Sequence, residues 1–473
     1  MTPRKRDVLC RVIRAFNGQN FAEDLQRIPD EIAKSDGERA ICRALIMSAL
    51  GLQLEEDDGT TSLAESARRS LAREEVHSPA LTVMRDVCNR CESSGIRVTD
   101  LCQNCVKKPC IAACRFGAIG NDGTRTEIDR GRCKKCIACL RACPYGAIAK
   151  TIIPCENACP VDAISKNEDG TATIDFSKCI GCGKCIAACP FEAIQPRSQV
   201  IDVLKAIRGG KKVIAMIAPA LLGQFSCSAG QLNSAIKKMG FSLVYEVAIG
   251  AETTTLNEAK ELEERLGSGE KFMTTSCCAA YNTLVRKHIP EMKPFVSHTG
   301  TPLFYTAQML RKEHPGALLV FVSPCLAKYE EVFANPNVDN IINVEELDTL
   351  LEAFSIVPGE CPDEKFSYAT AKEAREFSLT EGVSRAVKSA LSGGKVEVKF
   401  VAINGLDRER VKDLKRFAKA GVCDGGNMLE VMSCQGGCVG GGFTRCPVLA
   451  ATKQVKSYGD SGPLLSENVG KHP

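Results

Sequence analysis

Tryptophan is absent from this 473-residue chain. So is any apolar run near the roughly 20 residues that a membrane helix needs, which excludes a membrane-spanning segment of that kind. A large charge imbalance is missing too. Lys and Arg number 61 against 57 Asp and Glu, and a net charge of +4 implies no nucleic acid or other polyanionic partner. The opening stretch, "MTPRKRDVLCRVIRAFNGQN", has basic residues but no long apolar core and no cleavage-like site, so a cytoplasmic location is expected. Thiols there are kept reduced. With 25% charged and 44% hydrophobic residues, the composition is that of a soluble globular protein with room for two to four domains. What the chain has in abundance is cysteine, 27 in all. In a reducing compartment such density means metal, redox or catalytic chemistry, not structural disulfides.

The expected fold class is α+β and multidomain. Residues 1–85 read as a helical region, because "AEDLQRIPDEIAKS", "GERAICRALIMSALGLQL" and "SLAESARRSLAREE" place apolar residues at three- and four-residue spacing, with an acidic turn "EEDDGTTS" between the last two. Residues 86–196 change character. Cys-x-x-x-Ala-Ile recurs at "CRFGAI", "CPYGAI", "CPVDAI" and "CPFEAI", and "NDGTRTEID" and "NEDGTATID" each carry a hairpin signal between units. This is a duplicated two-fold repeat. From 197 to 450 the pattern is α/β. "KKVIAMIAPA", "ALLVFVSPC" and "KVEVKFVAING" read as buried strands of a parallel sheet, separated by amphipathic helices. Residues 451–473 read as a polar surface tail.

The bacterial ferredoxin pattern Cys-x2-Cys-x2-Cys-x3-Cys-Pro sends its fourth cysteine to the other cluster. It occurs twice, at Cys133, Cys136, Cys139 and Cys143, and at Cys179, Cys182, Cys185 and Cys189. Cys102, Cys105, Cys110 and Cys114 form a variant with a longer gap. Crossing the fourth ligands predicts one 4Fe–4S cluster on Cys102, Cys105, Cys110 and Cys143, and a second on Cys114, Cys133, Cys136 and Cys139. A third falls on Cys159, Cys179, Cys182 and Cys185. Cys155 and Cys189 are then left over, and "CNRC" upstream supplies Cys88 and Cys91. Sixteen cysteines between 88 and 189 make four sets of four, so a fourth cluster is expected on Cys88, Cys91, Cys155 and Cys189. A zinc half-site or free thiols are the alternatives for Cys88 and Cys91. Between 102 and 150, ten Lys or Arg face three acids. Such a face either steers an acidic electron carrier such as ferredoxin or flavodoxin, or balances the negative charge of the clusters.

Three further motifs follow: "TTSCCAAY" (274–281), "SPCLAKYEE" (323–331) and "EVMSCQGGCVGGGF" (430–443). Together, and in this order behind ferredoxin motifs, they resemble the three signatures of the iron-iron (FeFe) hydrogenases over roughly residues 200–447. The resemblance implies a two-lobed domain holding an H-cluster, meaning a 4Fe–4S cubane joined to a two-iron subsite with carbon monoxide, cyanide and a dithiolate. It assigns Cys278, Cys325, Cys434 and Cys438 to the cubane, with Cys438 bridging to the subsite. It makes Cys277 the proton carrier and Lys328 a donor to a cyanide. Met432 is expected to pack against the two-iron unit, and Gly440, Gly441 and Gly442 to let the backbone approach it. It also implies maturation proteins that supply the subsite, and three to four additional 4Fe–4S clusters as a wire.

Family proton paths imply Glu258, Glu261 and Ser297 as stations, with Arg265 at the outer end. Residues 258, 261 and 265 share one helical face, though a solvated charged helix has the same spacing. Ala279, Tyr281, Ser323 and Phe443–Thr444 depart from the usual signatures and place the chain near a divergent, group B-like branch. The expected function is interconversion of protons plus electrons with hydrogen. The alternatives are a hydrogen sensor and a non-catalytic iron–sulfur assembly or electron-transfer relative.

Overall fold

The computed structural model describes residues 1–54, 59–74, 76–92, 94–391, 397–468 and 470–471. The acidic turn expected at 55–58, residue 75 of the third helical segment, the start of "KVEVKFVAING" at 395–396 and tail residues 469 and 472–473 lie outside them.

The N-terminal region forms the helices Pro3–Asn17, Phe21–Ile32, Asp36–Ala49 and Leu63–Ala72. Three start where a hydroxyl can cap free backbone N–H groups: Thr2, Ser35 and Ser62 accept from Lys5, Glu38 and Glu65. Their apolar stripes do not close on themselves. Val12, Ile13, Leu25, Ile46 and Leu50 share one core with Val200, Val213, Ile217, Leu232 and Ile236 of the α/β half. Burying a side chain of this size stabilises by about 1.5–3 kcal/mol. The helical region is therefore packed onto the α/β half and not a separate body.

The cysteine-rich region is built from short antiparallel pairs. Ile119–Asn121 pairs with Thr126–Ile128, and Ile164–Lys166 with Ala172–Ile174, where the Asp-Gly signals predicted hairpins. Two longer-range pairs close the region, Gly95–Val98 with Ile148–Thr151 and Leu81–Val83 with Ile194–Pro196. The Cys-x-x-x-Ala-Ile repeat has a structural reason. The N–H of Ala118 donates to Cys114 Sγ at 3.4 Å and that of Ala163 to Cys159 Sγ at 3.2 Å. Ile119 and Ile148 fill a small core beside them, and Ile164 and Ile194 a larger one shared with Ile214 and Met216 of the α/β half. A left-handed residue precedes the short helix bearing the third cysteine in corresponding places, Ile137 at φ 61° and Gly183 at φ 75°. Glycine adopts this freely, whereas a β-branched residue holds it only where its surroundings enforce the turn.

The α/β half contains two parallel sheets. One has the order Leu243–Glu246, Val213–Ile217, Leu318–Ser323, Asn340–Asn343, and the other Met273–Thr274, Met428–Met432, Phe400–Asn404. The fold is mixed helix and sheet and multidomain. Three sheet strands end just before motif cysteines: Met273–Thr274 before Cys277 and Cys278, Leu318–Ser323 before Cys325, and Met428–Met432 before Cys434. Carboxyl ends of parallel strands are where such folds place ligands.

The C-terminus differs from the expected polar surface tail. Val448–Gly459 is a helix with Ala451 and Val455 buried against Ala220, Leu379 and Val439. A Cβ on Gly223 would stand 2.7 Å from the Ala451 carbonyl oxygen, so only glycine permits this approach. Among the described residues no helix is long and apolar enough to cross a membrane.

Candidate functional site

Two of the four expected cysteine sets of the middle region each line one pocket, and members of the other two lie near one another. Cys114, Cys133, Cys136 and Cys139 line one pocket, and Cys88, Cys91, Cys155 and Cys189 line another. Cys110 lies within electrostatic reach of Cys105 and Cys143, and Cys185 within reach of Cys159, Cys179 and Cys182. Backbone N–H groups of Lys135, Gly181 and Ala172 donate to the sulfurs of Cys133, Cys179 and Cys88 at 3.4 Å each. Donors of this kind favour anionic sulfur, and they set the potential of a cluster bound there. No three His, Cys, Asp or Glu side chains among the described residues converge as a single-ion site. The first two neighbourhoods carry the basic face. Lys107, Lys134 and Lys135 are exposed, while the Lys108 ammonium is held by Asn121 Oδ1 at 2.6 Å. Val106 is 98% exposed and Leu101 61%, in the same loop as Cys102 and Cys105.

A deeper cavity opens between the two sheets. Cys278, Cys325, Cys434 and Cys438, drawn from three separate motifs, all line it, as do Cys277, Lys328, Met432 and Gly441. The rest of the wall is mainly apolar, with Ala218, Val247, Ala251, Leu303 and Phe321. Cys182 of the cysteine-rich region is in the same wall, packed with Cys278 and Cys325 around Ala279, Ala280 and Ala327. Burial pushes the Cys325, Cys434 and Cys438 thiols up, since low polarity disfavours a thiolate, and the nearby Lys328 charge offsets this only in part at Cys325 and Cys438. Ser378 and Ser433, also in the wall, have buried hydroxyls without a hydrogen-bond partner among the described residues. Ser378 is tied to the site through its carbonyl, which accepts from the Cys438 N–H at 2.7 Å. Soft sulfur donors, idle hydroxyls and a lysine around one void fit an anionic, thiolate-held iron group.

Several assigned residues behave differently from expectation. Lys328 lines the cavity, but its ammonium is paired with Glu331, whose other oxygen accepts from Thr301 Oγ1. Burial is the largest single influence and lowers its pKa, but the charge and hydrogen bond of Glu331 together with the neighbouring Cys325 and Cys277 outweigh it, so the lysine stays charged. An ammonium has three donors, so one bond to Glu331 leaves others for the cavity. Gly441 lines the cavity, but a Cβ there would meet the Pro324 carbonyl oxygen at 2.6 Å. Gly440 lies outside this lining, and its Cβ would meet the Gln435 carbonyl at 2.1 Å. A Cβ on Gly442 would meet nothing nearer than 3.7 Å. Backbone packing against backbone already requires the first two glycines.

The helix Ala248–Gly267 carries the acidic residues. Glu258 is fully buried, and its Oε1 accepts from the Ser276 N–H at 3.1 Å while Oε2 has no partner among the described residues. Burial pushes its pKa to about 8. Ser276 precedes Cys277, so the carboxyl reaches the paired cysteines through that residue. Ser297 Oγ donates to Glu261 Oε2 at 2.6 Å. Burial pushes Glu261 up, but the bonds from Ser297 and the His298 N–H and the charge of Arg265 outweigh it, so its pKa is lowered. Arg265 is not an outer end. Its side chain is only 8% exposed and donates to the carbonyls of Pro294 and Val296. The exposed neighbour is His298, at 79%. Sequence reasoning missed this residue, as it missed Ser276, Glu331, Ser378 and Ser433. Glu331 alone left a signal, in its i, i+3 spacing from Lys328.

Residues 211–442 match the family described as "Iron only hydrogenase large subunit, C-terminal domain", and 150–200 match the "LdpA Fe-S cluster-binding domain". The HndD subunit of the NADP-reducing hydrogenase of Solidesulfovibrio fructosivorans is 30% identical over 53% of this chain and 53% of its own length. Iron hydrogenase 1 of Clostridium pasteurianum is 26% identical over 67% of this chain and 64% of its own length. The chain thus spans about half to two thirds of these relatives. Among solved structures, a single-residue variant of the HydA1 FeFe-hydrogenase of Chlamydomonas reinhardtii aligns with a TM-score of 0.46 at 17% identity, over 57% of this chain and 92% of that one.

Proposed function

The chain is an iron-iron hydrogenase-like protein with iron–sulfur modules, and from that premise we propose that it interconverts protons plus electrons with molecular hydrogen. The observation that carries this reading is the convergence of Cys278, Cys325, Cys434 and Cys438 on one largely apolar cavity, with Lys328 beside them. These four cysteines would hold the cubane of an H-cluster. When bound, that group supplies the redox-active iron at which hydrogen is made or split. Infrared spectroscopy of protein matured with its two-iron subsite should show bands of metal-bound carbon monoxide and cyanide. Fully assembled cubanes with no such bands would instead make it a non-catalytic relative.

The chain's own residues then have distinct tasks. The apolar wall keeps water from the cavity, and Lys328, held by Glu331, directs cationic donors to an anionic group. Cys277 would exchange a proton with the reacting centre, since its neighbour Cys278 is occupied as a ligand and a metal-bound thiolate is not available as an acid. Ser276, Glu258, Ser297 and Glu261 would carry that proton onward. Electrons would arrive through Cys182, which belongs to the third predicted cluster and to the wall of the cavity.

Two predictions concern the wire. Iron and sulfide analysis of protein made without the two-iron subsite should approach about twenty irons per chain, from five cubanes. A reproducible value near sixteen, unchanged by Cys88→Ser and Cys91→Ser, would remove the fourth middle cluster. The second prediction concerns the donor, which we propose to be an acidic ferredoxin- or flavodoxin-like carrier docking at the face around Leu101 and Val106. Reversing Lys107, Lys134 and Lys135 to Glu should raise the carrier's Michaelis constant and flatten its salt dependence, while activity with a small viologen dye stays near normal. Equal losses with both donors would place the damage in the clusters.

A further inference from the structure

We propose that His298 is the residue through which the outer end of the proton path exchanges protons with solvent, an inference that rests on the relay reading of Glu258, Ser297 and Glu261. Its Nδ1 lies 3.1 Å from Glu261 Oε1 and 3.0 Å from Arg265 Nη2. A carboxylate only accepts hydrogen bonds and a guanidinium only donates them. A ring with a protonated Nδ1 therefore gives a bond to Glu261, while Arg265 Nη2, which lies 3.3 Å from Nε2 as well, can donate to whichever ring nitrogen is bare. The same nitrogen has a partner in both protonation states. The His298 backbone N–H donates to both oxygens of Glu261 at 3.0 Å, which fixes the carboxylate against its own residue's ring.

The charged groups around the ring are Glu261 and Arg265, both from the helix Ala248–Gly267, with Glu270 behind them at 3.5 Å from Arg265 Nη1. Arg265 cannot itself serve as the exit. A guanidinium does not lose its proton in proteins, and this one is held by two backbone carbonyls. Glu261, accepting from Ser297, His298 and Arg265, favours its ionised form and is a poor place for a proton to rest. Glu258 further in favours its neutral form. A path joining two carboxyls of opposite preference needs at its wet end a group that can both take and give a proton, and an imidazole ring does both. In the outward direction the proton leaves Glu261 Oε1 for Nδ1, and the imidazolium gives a proton to water or buffer. Only O–H and N–H bonds change and no electron moves.

The test uses full-length protein carrying its cubanes but not the two-iron subsite, so it does not depend on hydrogen turnover. A rapid pH jump across pH 8 should ionise Glu258, followed by loss of its protonated-carboxyl infrared band, which Glu258→Gln identifies. His298→Gln should slow that loss by at least about tenfold, a modest share of the roughly 10²–10⁴-fold typical of a positioned acid–base group. Imidazole added to His298→Ala should restore the rate. If both His298 variants ionise Glu258 at the wild-type rate while Glu261→Gln slows it, His298 is not the exchanger and the relay stands. If Glu261→Gln also leaves the rate unchanged, the relay reading falls, and this inference with it.

Discussion

Cys277→Ala protein that has received its two-iron subsite is expected to keep every carbon monoxide and cyanide infrared band and to lose hydrogen turnover by roughly 10²–10⁴-fold. No metal bond is removed, so assembly is unaffected. What goes is the titratable group beside the reacting centre, and alanine neither takes nor gives a proton. Cys278→Ser should behave in the opposite way. The bands themselves should vanish, because one of four cubane ligands is gone and the cavity that the four line no longer holds its cluster. Cys277→Asp should recover part of the turnover, as a carboxyl also relays protons. Assembled Cys277→Ala protein with near-normal turnover would end the relay assignment and leave the first cysteine of the pair as wall.

Glu258→Gln should reduce turnover by a comparable roughly 10²–10³-fold, since an amide of the same shape passes no proton on. It carries a second, independent signature in stability. Burial raises the Glu258 pKa from the ordinary value of 4.5 to about 8. Below the lower value the carboxyl is neutral in folded and unfolded chains alike, and this contribution to stability is fully present. Between the two values only the unfolded chain ionises, so stability is lost as pH rises, by about 1.4 kcal/mol per pH unit. Above about 8 both states are ionised and the loss is complete. Glutamine has no charge to exclude. The variant's thermal midpoint should therefore gain on the wild type steadily from pH 6 to pH 8 and then level off. Parallel midpoint curves across that range would show that Glu258 is not held neutral by burial.

The chemistry of this chain was more legible in its sequence than its architecture. Cluster ligation depends on cysteine spacing within short loops, so the grouping of Cys114 with Cys133, Cys136 and Cys139 could be written down before any fold was known. The Asp-Gly hairpins and the strands around Val213–Ile217 and Leu318–Ser323 were equally local signals. Strands Leu243–Glu246 and Asn340–Asn343 are four residues each and were hidden, because so short a run has no period of its own. The C-terminal helix misled for a related reason. Its buried face is made by Ala451, Val455 and a glycine on the partner segment, too small to stand out among lysines. Arg265 was read as the outer end because a charged residue reads as exposed until a fold surrounds it with carbonyl oxygens.

The strand pairs that close the cysteine-rich region have a consequence for how such a molecule can change over time. Residues 95–98 and 148–151 form one antiparallel pair, nested inside a second formed by 81–83 and 194–196. Everything between the inner pair, including the first two predicted clusters, has its own small core of Ile96, Cys110, Ile119, Cys139 and Ile148. Its entry and exit lie side by side. Segments with adjacent ends can be exchanged, duplicated or lost at a single junction without rethreading the chain around them. The outer lobe is thus a detachable cassette, whereas the inner one, whose Ile164, Ile174 and Ile194 share a core with Ile214 and Met216, is built into the α/β half. With the two clusters proposed for the outer lobe in place, evolution or an engineer could lengthen or shorten the conductor at this one junction and leave the cavity untouched.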